Sequence, residues 1–366
     1  MSATTAWPTC VDCDVHNAVP DISALFSFLP DRWVDYCVES GVDGFDPAFY
    51  PPGMPLSARP DARCDGGPPG SDPDLVRAHV LDGGGAGHAV LNCLYAVQAL
   101  HNPDWSGAMA AALNDWQAAR WLAADPRFRA SIVVSPRDPR AAAEEIARVA
   151  GNPGFVQVLL LATASEPLGR RGYRPIYAAA EAAGLPVAIH PGVGGPNPLS
   201  PVGWPSHYIE DYAGAALSLQ SQLTSLVCEG VFATHPGLRV VLLESGVTWL
   251  PSLMWRFDKN WKALRQEVPW VDRPPSRLIR EHVLLSVAPF DAPPDLDRDW
   301  VDRFLDQLGS VQMLLHASDY PHWHHGDRPS ALLEQLSPAE RALVLRGNAA
   351  RLYGLPEERS GCPATD

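Results

Sequence analysis

Near the start of the chain Asp12, Asp14 and His16 alternate with Val11, Cys13 and Val15. In an extended strand, side chains two residues apart share a face, so two carboxylates and an imidazole would converge on one point. Such a cluster has the donors to hold a cation. The plainer alternative is a strand end with an Asp turn and an exposed His, and the motif alone leaves both open. Three other aliphatic runs close on the same kind of residue: His190 after Pro-Val-Ala-Ile, Glu244 after Val-Val-Leu-Leu, and Asp319 after Met-Leu-Leu-His-Ala-Ser. An unpaired charge is costly to bury, so core packing does not explain these endings. Four strands ending this way point to one polar site.

The elements that must carry these residues are short β-branched or aliphatic runs alternating with Ala-rich helical stretches, the pattern of repeated βα units and a parallel sheet. Eight runs are expected to be strands: 10–16, 88–94, 128–134, 155–161, 186–190, 238–244, 283–287 and 311–318. Helices are expected over 105–122, 139–149, 173–183, 212–230, 250–266, 300–308 and 338–345. Eight units predict an α/β fold, a distorted (β/α)8 TIM barrel, whose functional side chains gather at the C-terminal ends of the strands. A doubly wound open sheet is the alternative. It is disfavoured as a nucleotide binder, because no GxGxxG or P-loop stands at a strand-to-helix junction. The Gly-Gly-Gly-Ala-Gly stretch at 83–87 precedes a strand and reads as a turn. A Pro- and Gly-rich insertion at 43–72 follows the first strand, as a lid or oligomer contact, and the tail after 355 reads as flexible. Residues 1–366 form a single domain in this reading.

Composition sets the class. A chain of 366 residues with 46% hydrophobic and 19% charged residues can bury a large core. Its formal net charge of −14, with 42 acidic against 28 basic residues, argues against nucleic acid as a partner. The N-terminus has no basic stretch followed by an apolar one, and no apolar span reaches about 20 residues, so no membrane association and a cytoplasmic location are expected. The 7 cysteines carry no zinc-type pairing and read as reduced thiols.

Asp14-Val15-His16, Ile189-His190-Pro191 and Ala317-Ser318-Asp319-Tyr320-Pro321-His322-Trp323 resemble the motifs of the amidohydrolase-related metal-dependent enzymes, in the aminocarboxymuconate-semialdehyde decarboxylase-like branch. The resemblance extends from about residue 10 to the Asn348-Ala349-Ala350-Arg351-Leu352-Tyr353 ending. It implies that Asp14, His16, His190 and Asp319 bind one divalent metal, zinc first, with manganese or iron as alternatives, in a distorted barrel that forms a homodimer. Asp12 has no counterpart in that ligand set and is expected to support it from behind. Two departures stand out: Asp14 replaces the His or Glu common on strand one, and Glu244 stands where decarboxylases of this branch carry a catalytic His.

The expected activity is therefore hydrolysis at an amide, ester or lactone carbon of a small carboxylate or (hetero)aromatic compound. A metal-activated water would attack, with Glu244 as general base and Asp319 both ligating and accepting a proton. The alternative is a nonoxidative decarboxylase of a small aromatic or unsaturated acid. A small-molecule substrate would be met by Arg170 and Arg171 after strand four, where a guanidinium can clamp a carboxylate, and by His322, Trp323 and His101. Asn92 reads as part of a polar loop, and His235, just before strand six, as structural.

Overall fold

Each of the eight aliphatic runs becomes a strand. The computed structural model describes residues 9–45, 57–64, 66–192, 197–293, 295–323 and 329–356. Its strands are β1 (Cys10–Val15), β2 (Ala86–Leu91), β3 (Phe128–Val133), β4 (Phe155–Leu161), β5 (Val187–His190), β6 (Val240–Leu242), β7 (Val283–Ser286) and β8 (Leu314–Leu315). They pair in parallel in the order of the chain. Three backbone bonds join the last strand's segment to the first: Cys13 N–H to His316 O at 3.0 Å, His16 N–H to Tyr320 O at 2.7 Å, and Asp319 N–H to Asp14 O at 3.1 Å. The sheet thus closes into a (β/α)8 barrel. Parallel strands buried on both faces need the near-continuous apolar sequences seen here, and every residue of β1 and β4 is buried.

Two apolar clusters follow from that closure. One packs the outer face of the strands against the helices. The other is the inner core, with Val11, Cys13, Val90, Leu159, Ala188, Val241, Leu243 and Leu315 met by Ala349, Leu355 and Tyr353 from the C-terminal segment. Helix Pro139–Val149 illustrates how the outer layer is specified. Asp138 caps it by accepting from Arg140 N–H and Ala141 N–H, Pro139 fits the first turn, and Ala142, Ile146 and Val149 form the buried stripe.

Several boundaries differ from expectation. The eighth strand holds only Leu314 and Leu315, because Val311–Met313 turns as a 3-10 helix capped by Ser310. Among the elements not anticipated are helix Asp31–Glu39 and helix Pro275–His282. The second opens on Pro274 and Pro275, which read as a loop but suit a helix N-terminus, where a missing N–H costs nothing. Within the expected insertion, residues 46–56 and 65 lie outside the described residues, as do 357–366 of the expected flexible tail. The described part of the insertion is tied down: Arg59 N–H donates to Pro321 O at 2.8 Å, and Ala18 N–H donates to Gly70 O at 3.0 Å. Gly70 has φ +84, and a Cβ there would lie 2.4 Å from His16 O, so only glycine lets this segment reach the first strand's end. Among the described residues no helix is long and apolar enough to cross a membrane.

Candidate metal centre

Strand ends bring the distant residues together. Asp14 on β1, His16 just beyond it, His190 ending β5 and Asp319 after β8 are all buried, at 0%, 7%, 2% and 0% exposure. One donor atom from each lies within 4.8 Å of the others. His16 Nε2 is 2.9 Å from Asp319 Oδ1 and 3.5 Å from Asp14 Oδ1. The His16 and His190 rings meet edge to face, centroids 5.0 Å apart. Gly192 N–H donates to His190 Nδ1 at 3.2 Å, so Nε2 faces the cluster, and Glu244 Oε2 lies 3.1 Å from that nitrogen.

The donor set was tested for a cation on its own bonding. Asp14 Oδ2 and His190 Nε2 are buried atoms with no hydrogen-bond partner, the Glu244 contact being an ion-pair distance without hydrogen-bond geometry. Leaving a buried polar atom unsatisfied costs about 1–3 kcal/mol, and a bound cation removes that cost for both. Two imidazoles and two carboxylates suit zinc, manganese or iron(II). The residues fit a single divalent ion.

Charge in the pocket points the same way. Burial raises Asp14 to about 6, despite the opposing charges of His16 and His190. Burial alone would lower His16, but the charge of Asp14 and the hydrogen bond that His16 donates to Asp319 override it and lift the imidazole to about 10. The carboxylates therefore retain a positive charge among them.

Backbone conformation marks two of these carboxylates. Among the described residues, Glu244 (φ 44) and Asp319 (φ 58) are the non-glycine residues with positive φ. A left-handed conformation costs an L-residue roughly 1–2 kcal/mol, and such strain clusters where a site needs a side chain aimed. Glu244 N–H donates to Ser286 Oγ at 2.9 Å, and Gly246, at φ +60, packs where a Cβ would be 2.3 Å from Asp291 Oδ2.

The other expected residues fall in different places. His322 Nδ1 lies 2.8 Å from Asp319 Oδ1 and its ring centroid 5.0 Å from that of His16, so it joins the cluster; Trp323 follows it at 38% exposure. Arg171 is engaged elsewhere, 3.8 Å from Glu229 and stacked 5.1 Å from the Trp270 ring, and Arg170 is exposed beside it. His101 is exposed next to Asn102, which caps helix Pro103–Trp116. Asp12 accepts from Ser318 N–H at 2.9 Å and Asp14 N–H at 3.3 Å, bracing both strand ends from behind. His235 holds Glu181 at 3.1 Å, and Glu181 also takes Gly237 N–H. His324 and His325 lie outside the described residues.

Some contributors escaped the sequence. Asn92 is fully buried and donates to Asp14 Oδ1 at 2.8 Å. Gln157 sits inside the otherwise apolar β4, and that lone polar residue in an aliphatic run was the signal available. Tyr208 and Tyr212 stack edge to face at 5.2 Å. Burial first, then the charge of Glu244, pushes the Tyr208 phenol up to about 12 and raises that of Tyr212 as well.

The class follows from comparison with known proteins. A family model described as amidohydrolase matches residues 11–355, and the chain belongs to that family. Among curated proteins, the gamma-resorcylate decarboxylase of Rhodococcus jostii (strain RHA1) is 28% identical over 281 residues, covering 71% of this chain and 80% of that protein. Among solved structures, 2,6-dihydroxybenzoate decarboxylase from Rhizobium superposes with a TM-score of 0.66 at 22% identity, over 95% of this chain and 99% of that one. Dihydroxybenzoic acid decarboxylase from Polaromonas sp. JS666, with bound manganese and the inhibitor 2-nitroresorcinol, superposes at 0.65 and 21% identity, over 95% and 98%. The structural matches bear out the barrel. The protein is an enzyme of the amidohydrolase family with a buried Asp/His metal site.

These relatives correct the expected reaction. Hydrolysis is the expectation from Glu244 beside a metal-bound water, yet the curated relatives that this chain matches are named gamma-resorcylate decarboxylases. A carboxylate next to a cation can carry a proton to carbon as well as take one from water, so the residues themselves did not separate the two reactions.

Proposed function

We propose that this enzyme is a nonoxidative, metal-dependent decarboxylase of a small hydroxylated aromatic acid. The observation that carries the reading is the 28% identity to a gamma-resorcylate decarboxylase over 71% of the chain, with a buried four-residue ligand set at the strand ends. Asp14, His16, His190 and Asp319 hold the ion. Manganese is favoured over the zinc expected from sequence, since two of the four ligands are carboxylates and the Polaromonas relative carries manganese. The ion supplies a Lewis acid for the substrate's oxygens and for charge that develops on the ring.

The chain's own groups do the rest. His322 and Trp323 border the substrate beside Asp319. Glu244, beside the cluster-facing nitrogen of His190, brings a proton to the ring carbon that bears the carboxylate. The ring-to-carboxylate bond breaks, its electron pair takes that proton, and carbon dioxide leaves. The enzyme works as a cytoplasmic homodimer in this reading.

A panel of hydroxybenzoic acids incubated with manganese-loaded enzyme in D2O tests it. One carbon dioxide per acid consumed, with one deuterium at the vacated ring carbon, is the expected result. Acids recovered intact across the panel, with no carboxylation of the matching phenols in bicarbonate, would overturn it.

A further inference from the structure

Beneath the cluster runs a line of buried polar side chains that the proposed reaction leaves unused. Asn92, just past β2, donates from Nδ2 to Asp14 Oδ1 at 2.8 Å and to Cys13 O at 3.2 Å. Its side-chain oxygen accepts from Ser131 Oγ and from Gln157 Nε2, the latter at 3.0 Å. Gln157 Nε2 also reaches Ser131 Oγ at 3.0 Å, while Gln157 Oε1 accepts the Tyr353 hydroxyl at 2.9 Å. The backbone carbonyl of Asn92 meets His16 Nδ1 at 3.1 Å. One residue therefore touches two of the four ligands.

The direction of donation gives the line its meaning. A primary amide can face either way, and its neighbours decide which. Cys13 O and the Asp14 carboxylate only accept, so the Asn92 nitrogen must face them and its Oδ1 must face away. That oxygen takes the Gln157 nitrogen, which leaves Gln157 Oε1 to accept the Tyr353 hydroxyl. Asp14 Oδ1 is thereby occupied, and Oδ2 is the buried oxygen with no partner. The Asn92 carbonyl fixes the other imidazole nitrogen of His16 in the same way, turning Nε2 into the cluster.

We propose that Asn92, braced by Gln157 and through it by the Tyr353 hydroxyl, is a positioning residue of the metal centre that holds the Asp14 carboxylate in place through Oδ1, with Oδ2 left unpartnered for the cation. The proposal rests on Asp14, His16, His190 and Asp319 being the cation's ligands. Groups that orient ligands in this way typically carry about a ten- to hundred-fold share of metal affinity.

Zinc affinity, read by competition with a chromophoric chelator, tests this without reference to catalysis. Asn92→Ala is expected to weaken binding about ten- to hundred-fold, and Tyr353→Phe, which deletes one hydroxyl, by a smaller factor. In an Asp14→Ala background both changes should have little further effect, because the oxygen they act through is gone. A merely structural role would lower thermal stability but give the same loss of affinity in both backgrounds, and that additivity overturns the proposal. So does wild-type affinity in Asn92→Ala. Should Asn92→Ala fail to fold, Tyr353→Phe with and without Asp14→Ala decides by the same criterion. Wild-type protein that binds neither zinc nor manganese overturns the ligand assignment itself, a failure distinct from that of Asn92 alone.

Discussion

At the scale of residues, Asp319 and Glu244 divide the work, and substitution should separate their roles. Asp319→Asn suits the left-handed backbone at φ 58, since Asn tolerates that region, but weakens a ligand and the acceptor for His16 and His322. Metal affinity should fall at least about tenfold with the fold retained. Glu244→Gln keeps the side chain's shape and the four ligands, so metal content should hold while kcat drops by about 10²–10⁴. Metal analysis beside steady-state kinetics checks both. Affinity must also depend on pH. His16, raised to about 10, is protonated at neutrality, and a cation must displace that proton. Affinity should therefore rise about tenfold per unit from pH 7 to 9, and fall more steeply below about 6, where Asp14 also takes a proton. Calorimetry in buffers of different ionisation enthalpy counts the protons released.

At the scale of elements, the periodic pattern revealed all eight strands because burial on two faces demands continuous aliphatic sequence. It revealed the terminal ligands because a charge after such a run has no packing role. It did not reveal the role of Asn92, which depends on what tertiary closure puts opposite it. The same limit hid Gly70, whose lack of a side chain matters only once residues 66–72 lie against His16 O. Gly70→Ala combines a left-handed backbone with a backbone clash, so a loss of about 1–3 kcal/mol in stability is expected, with weaker metal binding, measured by denaturant melts and chelator competition. Another device secures the C-terminal elements. Glu340 caps helix Pro338–Ala342 through Ser337 and binds Arg298 at 2.8 Å; Arg298 first, then Ser337, hold its carboxyl down at about 2. A folded pKa below the ordinary value of 4.5 gives stability that is present above pH 4.5 and lost as pH falls towards 2. Glu340→Gln should flatten the decline of melting temperature over that window.

At the scale of the whole molecule, three of the four ligands, Asp14, His16 and Asp319, straddle the seam where the barrel closes, and His190 reaches them from β5. β8 offers only two strand residues, and the three backbone bonds beside it run through Cys13, His16 and Asp319, next to or at the ligands. Saturation at a hundred times Kd should add about 2.7 kcal/mol of stability. Chelator treatment should lower the melting temperature and speed amide exchange first at Cys13, His16 and Asp319; uniform exchange across the barrel would count against a clasp at the seam. His16 and Asp319 stand 303 positions apart, so their contact closes nearly the entire chain into one loop. Ribosomes add residues one after another, and no cation can find its four ligands until Asp319 has emerged, the barrel all but finished. A chain that stops short of the last strand therefore lacks Asp319 and the three bonds of the seam, and with them one of the four ligands and the closure that gathers the rest.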